Sequence, residues 1–590
     1  MTIFALGEDP GEVEVSLGAV GPVQIMGPAK QLITFDGEDS MEVFFRLAAQ
    51  QQIGTAEIVI SATAQAGDYT SRERTALPIR AANPYLYLVE EKIVDEGAAV
   101  TFTVPPPGVP GTERMRLSIS PWQGMNIEHR LQWLIRYPYL CLEQITSAVF
   151  PQLYLPGLAP LDREQLAEID ENINAAIQKL REYQLSGGGF AYWPGAGAAD
   201  LWSTNYAGHF LLEAKSRGYH VPDTLLQGWL EFQTEAARAK AGNRHTRAYR
   251  LYLLALADSP ELSALNYMRE SELDQLGNGE KHLLAAAYHV LGFSATSSKI
   301  RAAADLDISD QADWPATFGS PLRDRAMLLD ALLAVGDYQR GAPLYKQIAQ
   351  DLASNRWYST QSTAYGLMAV SKYIAALSEH APAITGEVGI DGQMRAVQEE
   401  GAAAVLSLSP LEGQVVTFKN TTAAPLFAAL IWEGIPKPED LRPEQSKLRL
   451  RVDYYDREGH KLDVTRLKQG TEFYGVFQVS QDGFEDLSEL ALVQVLPAGW
   501  EIENLRLLGG QLPDWMDEYN LWEADYVDLR DDRLMWFFDM YGWMEDHVFV
   551  VKLNAVTVGT FSLPPTLLEA MYDNDYKVVT EGGTVEVLAR

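Results

Sequence analysis

From Ile33 to Ile79 apolar and polar residues tend to alternate, as in MEVFFRL (Met41 to Leu47) and AEIVISATA (Ala56 to Ala64), with glycine and polar breaks between the runs. A period of two sends successive side chains to opposite faces, so this stretch reads as half-buried antiparallel strands. A second β set follows in PYLYLVEEKIV (Pro84 to Val94), AAVTFTV (Ala98 to Val104) and ERMRLSIS (Glu113 to Ser120), interrupted by PPPGVPG at Pro105 to Gly111. Between about Met125 and Leu377 the texture changes to Leu/Ala-rich stretches of helical length, separated by short Gly, Pro, Asn or Asp breaks. In LWSTNYAGHFLLEAKSRGY (Leu201 to Tyr219), Tyr206, Phe210, Leu211 and Ala214 share one face while Glu213, Lys215 and Arg217 extend the polar side. Gly218 is positioned to stop that helix and Pro222 to block its continuation. Thr246 to Asp258, Lys281 to Gly292, Arg323 to Gly336 and Thr360 to Leu377 repeat the pattern. About a dozen short-linked helices imply a stacked or ring-like array of antiparallel hairpins. After Glu379 strand patterns return in AAAVLSLSP (Ala402 to Pro410), QVVTFKN (Gln414 to Asn420), FAALIWEG (Phe427 to Gly434), LRLRVDYYD (Leu448 to Asp456) and VFVVKLNAVTVGTFSL (Val548 to Leu563).

The order is thus β, β, a long α insertion, β, β. That predicts a multidomain α+β chain with a helical domain interrupting or following β-sandwiches, rather than a doubly wound sheet, whose strands and helices would alternate. A length of 590 residues is enough for about four domains. Lys and Arg number 47 against 80 Asp and Glu, a formal charge of −33 that repels phosphate backbones and anionic headgroups, so nucleic acid is not an expected partner. No uncharged apolar run reaches the roughly 18 residues of a spanning helix, and the chain is expected to be soluble as given. The opening MTIFALGEDPGEVEVSLGAV lacks the basic start and apolar stretch of a secretory signal. A single cysteine, Cys141, excludes an internal disulfide and any thiolate-clustered metal site.

Cys141 lies in RYPYLCLEQITS, Arg136 to Ser147, at the entrance to the helical region. Cys141 and Gln144 are three residues apart, which makes their side chains neighbours on a helical turn. A thiol beside a carboxamide can close to a thioester with loss of ammonia, and because a thiolate is a better leaving group than an amide nitrogen, that bond is a stored acylating agent. An incoming lysine amine or hydroxyl would end attached through the Gln144 acyl carbon.

YPYLCLEQ (Tyr137 to Gln144) resembles the thioester motif of the bacterial alpha-2-macroglobulins, usually YPYGCLEQ. GGGFAYWPG (Gly187 to Gly195), LWSTNYAGHFLLEAKSRGY, RAYRLYLLALA (Arg247 to Ala257) and WYSTQSTAYGLMAV (Trp357 to Val370) resemble motifs of that family's thioester domain, an α/α toroid. LPAGWEIEN (Leu496 to Asn504), LRDDRLMWFFD (Leu529 to Asp539), VGTFSLPP (Val558 to Pro565) and EAMYDND (Glu569 to Asp575) resemble its C-terminal macroglobulin-like domain. The resemblance implies a macroglobulin-like β-sandwich over 1–82, a CUB-like β domain in two parts over 83–122 and 381–440, the toroid over 123–380, and a C-terminal macroglobulin-like domain over 441–590. It implies a single-use endopeptidase inhibitor rather than an enzyme: bait cleavage exposes the thioester, and the attacking protease is captured through a surface lysine. It further implies no cofactor beyond the internal cross-link, no metal, a monomer, and a role in bacterial defence in the periplasm or cell envelope, with the N-terminal signal and bait domains lying upstream of a chain that is the C-terminal portion of a longer protein. Cys141 and Gln144 are the expected thioester pair, Tyr137, Pro138, Leu142 and Glu143 the rest of the motif, and Tyr137, Tyr139, Met571 and Tyr572 the expected shield against water. One position departs from the family. Leu140 stands where glycine is usual, and it would be strained if that position needs a positive φ.

Other groups invite plainer readings. Glu143 reads as a solvated carboxylate at a helix start, where acids are favoured. His282 and His289 lie two turns apart without an HExxH or a Cys/His cluster. His209 and His245 fall in the domain where some relatives carry an acyl-accepting histidine, with nothing further to single them out. GGGFAYWPGAG lacks the Lys-Ser/Thr of a phosphate loop and reads as a hairpin packed by Tyr192 and Trp193. WEADYVDLRDD (Trp522 to Asp532) lacks EF-hand spacing and reads as a solvated strand and turn. A carbohydrate-active enzyme built on a helical toroid, with a cleft lined from 13 Trp and 27 Tyr, remains the alternative of a different class, and a non-covalent scaffold is a third.

Overall fold

A computed structural model describes residues 1–5, 10–64, 69–81, 86–105, 108–122, 130, 134–135, 140–157, 163–308, 317–354, 356–377, 383–390, 392–400, 403–409, 415–435, 443–503, 512–542 and 546–589. The alternating N-terminal segment forms a four-stranded antiparallel sheet in the order Lys30–Thr34, Glu12–Val20, Gly54–Ala64, Thr70–Ile79. Val13, Val15, Phe35, Val43 and Ala64 form its small core.

Two further sheets are assembled from segments on either side of the helical region. Arg114–Ser120 lies between Ala404–Leu408 and Leu426–Gly434, and the latter pairs outward with Leu86–Val94. The facing sheet runs Ala99–Thr103, Val415–Asn420, Ile384–Ile390, Gln393–Glu399. Phe102, Leu117, Ile119, Val388, Val416, Phe418 and Ala428 fill the space between them. The helices are therefore an insertion into one sandwich, and both ends of the insertion are pinned by strands of the same sheets.

The described helices are α1 (Leu142–Val149), α2 (Arg163–Tyr183), α3 (Leu201–Ser216), α4 (Asp223–Arg238), α5 (Arg244–Leu256), α6 (Leu262–Tyr267), α7 (Asn278–Val290), α8 (Ser294–Ala302), α9 (Pro321–Ala334), α10 (Tyr338–Ala353) and α11 (Thr360–Leu377). Their ends follow local rules. Asp200 and Ser320 cap α3 and α9 by accepting the amides of Ser203 and Arg323, Gly218 follows α3 at φ +92°, and Pro222 caps the start of α4. The centre of the array is a continuous core running from Leu142 through Trp202, Tyr206, Trp229, Leu253, Leu284 and Leu329 to Ile374. Gly208 is required where α3 meets α4, since a Cβ there would stand 2.0 Å from the Trp229 ring.

The C-terminal residues form a six-stranded sheet in the order Glu444–Ser446, Asp573–Val579, Thr566–Ala570, Leu487–Val495, Arg533–Met540, Tyr526–Leu529, with a four-stranded sheet, Leu448–Tyr455, Glu472–Gln481, His547–Ala555, Trp500–Glu503, behind it. The period of two divides the larger sheet's side chains. Leu490, Leu492, Leu534, Trp536 and Phe538 enter the domain's own core, while Ala491, Val493, Met535 and Phe537 face the other way, into a cluster that contains Cys141. A sheet buried on both faces needs near-continuous apolar runs, which is what RLMWFFDM supplies.

Candidate functional site

Cys141 occupies the N-cap of α1 at φ −70°, ψ 165°, and its carbonyl accepts the Ile145 amide at 3.0 Å. Gln144 follows on the first turn. The chain reaches this cap through Leu140 at φ +56°, a left-handed conformation that costs an L-residue about 1–2 kcal/mol. The turn is held from two sides: the Tyr183 hydroxyl donates to the Leu140 carbonyl at 2.6 Å, and the Leu142 amide donates to the Tyr192 carbonyl at 3.0 Å. The position where glycine is usual is thus one that requires a positive φ, and leucine adopts it.

Cys141 is 0% exposed. Its thiol donates to the Tyr192 hydroxyl at 3.3 Å and stands 3.9 Å from that of Tyr572. The two tyrosine hydroxyls are 2.6 Å apart, and Tyr572 donates to Glu143 Oε2 at 2.7 Å. Gln144 Nε2 lies 3.2 Å from Met571 Sδ, while Gln144 Oε1 is buried without a hydrogen-bond partner among the described residues. Burial pushes the Cys141 thiol well above its ordinary range, and the Glu143 charge adds to the effect. The thiol is therefore neutral and shut away from water.

Glu143 corrects the sequence reading. It is 0% exposed, not solvated, and it accepts hydrogen bonds from Ser147, from Thr360 at 2.7 Å and from Tyr572. The reason is topological: α11 packs on α1 and covers the face that would otherwise be open. Burial raises its carboxyl above the ordinary value, opposed by the three donors. Met571 and Tyr572 come from the C-terminal domain and close the pocket, and Leu142 packs into the helical core on the other side of the turn. Tyr137, Pro138 and Tyr139 lie outside the described residues.

The sequence reading did not connect Tyr192 to the cysteine. The glycine-rich stretch is a hairpin, with bridges Gln184–Phe190 and Ala191–Ala199, whose turn brings Gly188 so close to α4 that a Cβ would fall 1.9 Å from the Gly228 carbonyl. Beyond the turn it lays Tyr192 against Cys141, and Trp193 against Tyr526 and Phe537 with ring centres 4.9 and 4.4 Å apart. Tyr526 belongs to the segment read as a solvated strand and turn; the strand is there over Tyr526–Leu529 with its residues exposed or half-buried, and the Tyr526 ring is the part turned toward Trp193. Phe318 completes the pocket, stacked on Tyr192 at 5.4 Å and on Tyr572 at 4.7 Å. Aromatic residues beside close-packed glycines were the available signal for Tyr192; an isolated loop residue such as Phe318 carried none.

The histidines have other partners. His209 Nδ1 is 2.8 Å from the Tyr249 hydroxyl with Nε2 toward Glu213, and His245 lies between Glu280 and Asp324 in the helical core. Among the described residues no group of three His, Cys, Asp or Glu is arranged to hold a metal ion.

Residues 448–575 match the family described as Bacterial Alpha-2-macroglobulin MG10 domain. The alpha-2-macroglobulin of Escherichia coli K12 is 25% identical over 624 residues, taking in 97% of this chain, and that of Xylella fastidiosa Temecula1 is 25% identical over 95% of it. Over nearly its whole length the chain is thus similar to bacterial alpha-2-macroglobulins. It spans 36% of the length of each of these two relatives. The fold is shared with the crystal structure of native Escherichia coli alpha-2-macroglobulin spanning domain MG7 to the C-terminus, at a TM-score of 0.84 and 22% identity over 100% of this chain and 96% of that one. Salmonella alpha-2-macroglobulin reacted with methylamine matches at 0.85 and 22%, over 100% of this chain and 39% of that one. This family's C-terminal portion, with macroglobulin-like domains around a helical toroid, is the architecture described above. The described helices include none long and apolar enough to cross a membrane.

Proposed function

We propose that Cys141 and Gln144 form an internal thioester and that this chain is the reactive part of a protease trap. The observation that carries the reading is the enclosure of a thiol and a carboxamide on one helical turn beneath Met571 and Tyr572, residues of a domain more than 400 positions away in sequence. Closure joins Cys141 Sγ to Gln144 Cδ and releases ammonia. Attack by a lysine amine then forms an amide at Gln144 and frees the thiol, so each molecule reacts once. Met571 and Tyr572 keep water from the bond until cleavage of an upstream bait segment moves their domain. The sandwich split by the helical insertion corresponds to the family's CUB-like domain, and the protein acts as a monomer in the periplasm on proteases that reach the cell envelope.

Intact-mass measurement with thiol titration, before and after methylamine, tests this. The expected result is a mass lower by one ammonia, no free thiol at the start, and one thiol released per methylamine taken up; Cys141→Ala abolishes both the mass deficit and covalent capture. A full mass with a free thiol in fresh protein would sink the reading and leave a scaffold role. Sugar turnover that persists in Cys141→Ala would point to the carbohydrate-active alternative.

A further inference from the structure

Four side chains, the cysteine's included, are joined in one direction. The Cys141 thiol donates to Tyr192 at 3.3 Å, the Tyr192 and Tyr572 hydroxyls meet at 2.6 Å, and Tyr572 donates to Glu143 Oε2 at 2.7 Å. With Tyr192 donating to Tyr572, every hydrogen in this chain points from the sulfur toward the carboxylate. We propose that Tyr192, Tyr572 and Glu143 form a proton relay for making the thioester and for its opening by a small amine that enters the closed pocket, with Glu143 as the terminal acceptor and Tyr192 as the group that touches the reacting sulfur. The proposal rests on the thioester reading of Cys141 and Gln144.

The chemistry needs such a device. A buried thiol does not ionise by itself, because a thiolate without a compensating partner is costly in an apolar pocket. An amide nitrogen does not leave without a proton. A shift of one hydrogen along each link moves the thiol proton to Tyr192, the Tyr192 proton to Tyr572 and the Tyr572 proton to Glu143, while Cys141 Sγ bonds to Gln144 Cδ. As the Cδ–Nε2 bond breaks, the proton returns through the Tyr192 hydroxyl to the nitrogen, which departs as ammonia. The thiol hydrogen ends on ammonia and nothing is oxidised or reduced. When a small amine such as methylamine enters the closed pocket it attacks Cδ, its surplus proton enters the relay, and a proton returns to the departing sulfur. Glu143 suits the end of the relay because it is fully buried and fixed by Ser147 and Thr360, so it holds its oxygen toward Tyr572 without a water shell to reorganise. Its direct neighbours in sequence are the reactive Gln144 and Leu142, which places the acceptor on the same rigid helical turn.

The test measures thiol release by methylamine, and the ammonia-loss mass shift on folding, for the full chain and for Glu143→Gln, Glu143→Asp and Tyr192→Phe. Glu143→Gln preserves size and, with its carbonyl oxygen in the Oε2 place, the hydrogen bonds from Thr360 and Tyr572, but cannot take a proton; it is expected to slow both reactions by at least about tenfold, as loss of general acid–base assistance does. Tyr192→Phe, which breaks the first link, is expected to do the same at an unchanged melting temperature. The deciding readout is rank order. Glu143→Asp disturbs packing more than the near-isosteric glutamine yet retains a proton acceptor, so the relay requires it to be the faster of the two, whereas a merely structural role requires the reverse. Wild-type rates in Glu143→Gln, or glutamine outpacing aspartate, overturn the relay. Wild-type protein without any thioester overturns the underlying reading instead, so the two failures are separable.

Discussion

The pocket has two walls of opposite character. The helical wall carries the reactive and polar groups, Cys141, Glu143, Gln144, Ser147 and Thr360, all buried and all on or against α1. The sheet wall is mostly apolar, made of Ala491, Val493, Met535, Phe537 and Met571, with Tyr572 as its hydroxyl on the cysteine and the Glu489 carboxyl near enough to push the thiol further up. One wall can react and the other can exclude water. Neither is complete alone, and the hydrogen bond from Tyr572 to Glu143 ties them across the domain boundary. In the proposed trap, separation of the domains uncovers the thioester and removes a relay member in the same movement.

The sharpest way to break this comparison is to damage only the sheet wall. Met571→Ala removes the side chain whose sulfur lies against Gln144 and leaves every toroid residue in place. The thioester should then hydrolyse at rest on the order of tenfold faster, seen as free thiol accumulating in untreated protein. If the resting bond survives as long as in wild type, water is excluded by something other than this wall. Next in size is Trp193→Ala, at the seam itself. Its ring stacks on Tyr526 and packs on Phe537, so truncation should cost about 3–5 kcal/mol locally and lower the first thermal transition. Calorimetry is expected to show that transition move while the later ones stay, as multidomain chains do when domains unfold in separate steps.

A third prediction concerns the helical side alone. His282 is 2% exposed, its Nε2 lies 3.1 Å from the Asp305 carbonyl, and burial with Arg340 and Arg301 nearby holds it down at about 4, with Asp337 opposing. The unfolded chain, near the usual 6.5, binds the proton that the folded chain refuses. Stability is therefore full above about pH 6.5 and falls as pH drops toward 4, by on the order of 2 kcal/mol. His282→Gln should flatten that part of the denaturation midpoint against pH; an unchanged slope would assign it to other groups.

Much of this was legible because it depends on local periodicity. The two β regions, the hairpin array and the return to strands follow from spacing alone, and Cys141 with Gln144 stood out by chemistry and motif. What could not be read was whatever depends on a distant segment. Glu143 looks solvated on a helix start, and only the packing of α11 and the approach of Tyr572 bury it. Tyr192 was seen as hairpin packing, yet its partner is the cysteine 51 residues earlier. Tyr526 sits in an acidic run that suggests solvent, but strand alternation turns its ring toward Trp193.

Leu140 offers the smallest effect and the cleanest control on the reactive wall. It holds φ +56° and its side chain is 47% exposed, so it carries backbone strain with little burial to offset it. Leu140→Gly removes about 1–2 kcal/mol of left-handed cost and adds back roughly 0.4–1 kcal/mol of chain entropy in the unfolded state. The net expectation is a gain of about 0.5 kcal/mol, with thioester content and methylamine rate unchanged, because the Tyr183 and Tyr192 contacts that hold the turn are made through the backbone. Leu140→Ala keeps the strain and should show no gain. A glycine variant that is less stable than wild type would mean that the leucine side chain, rather than its backbone angle, is what this turn depends on.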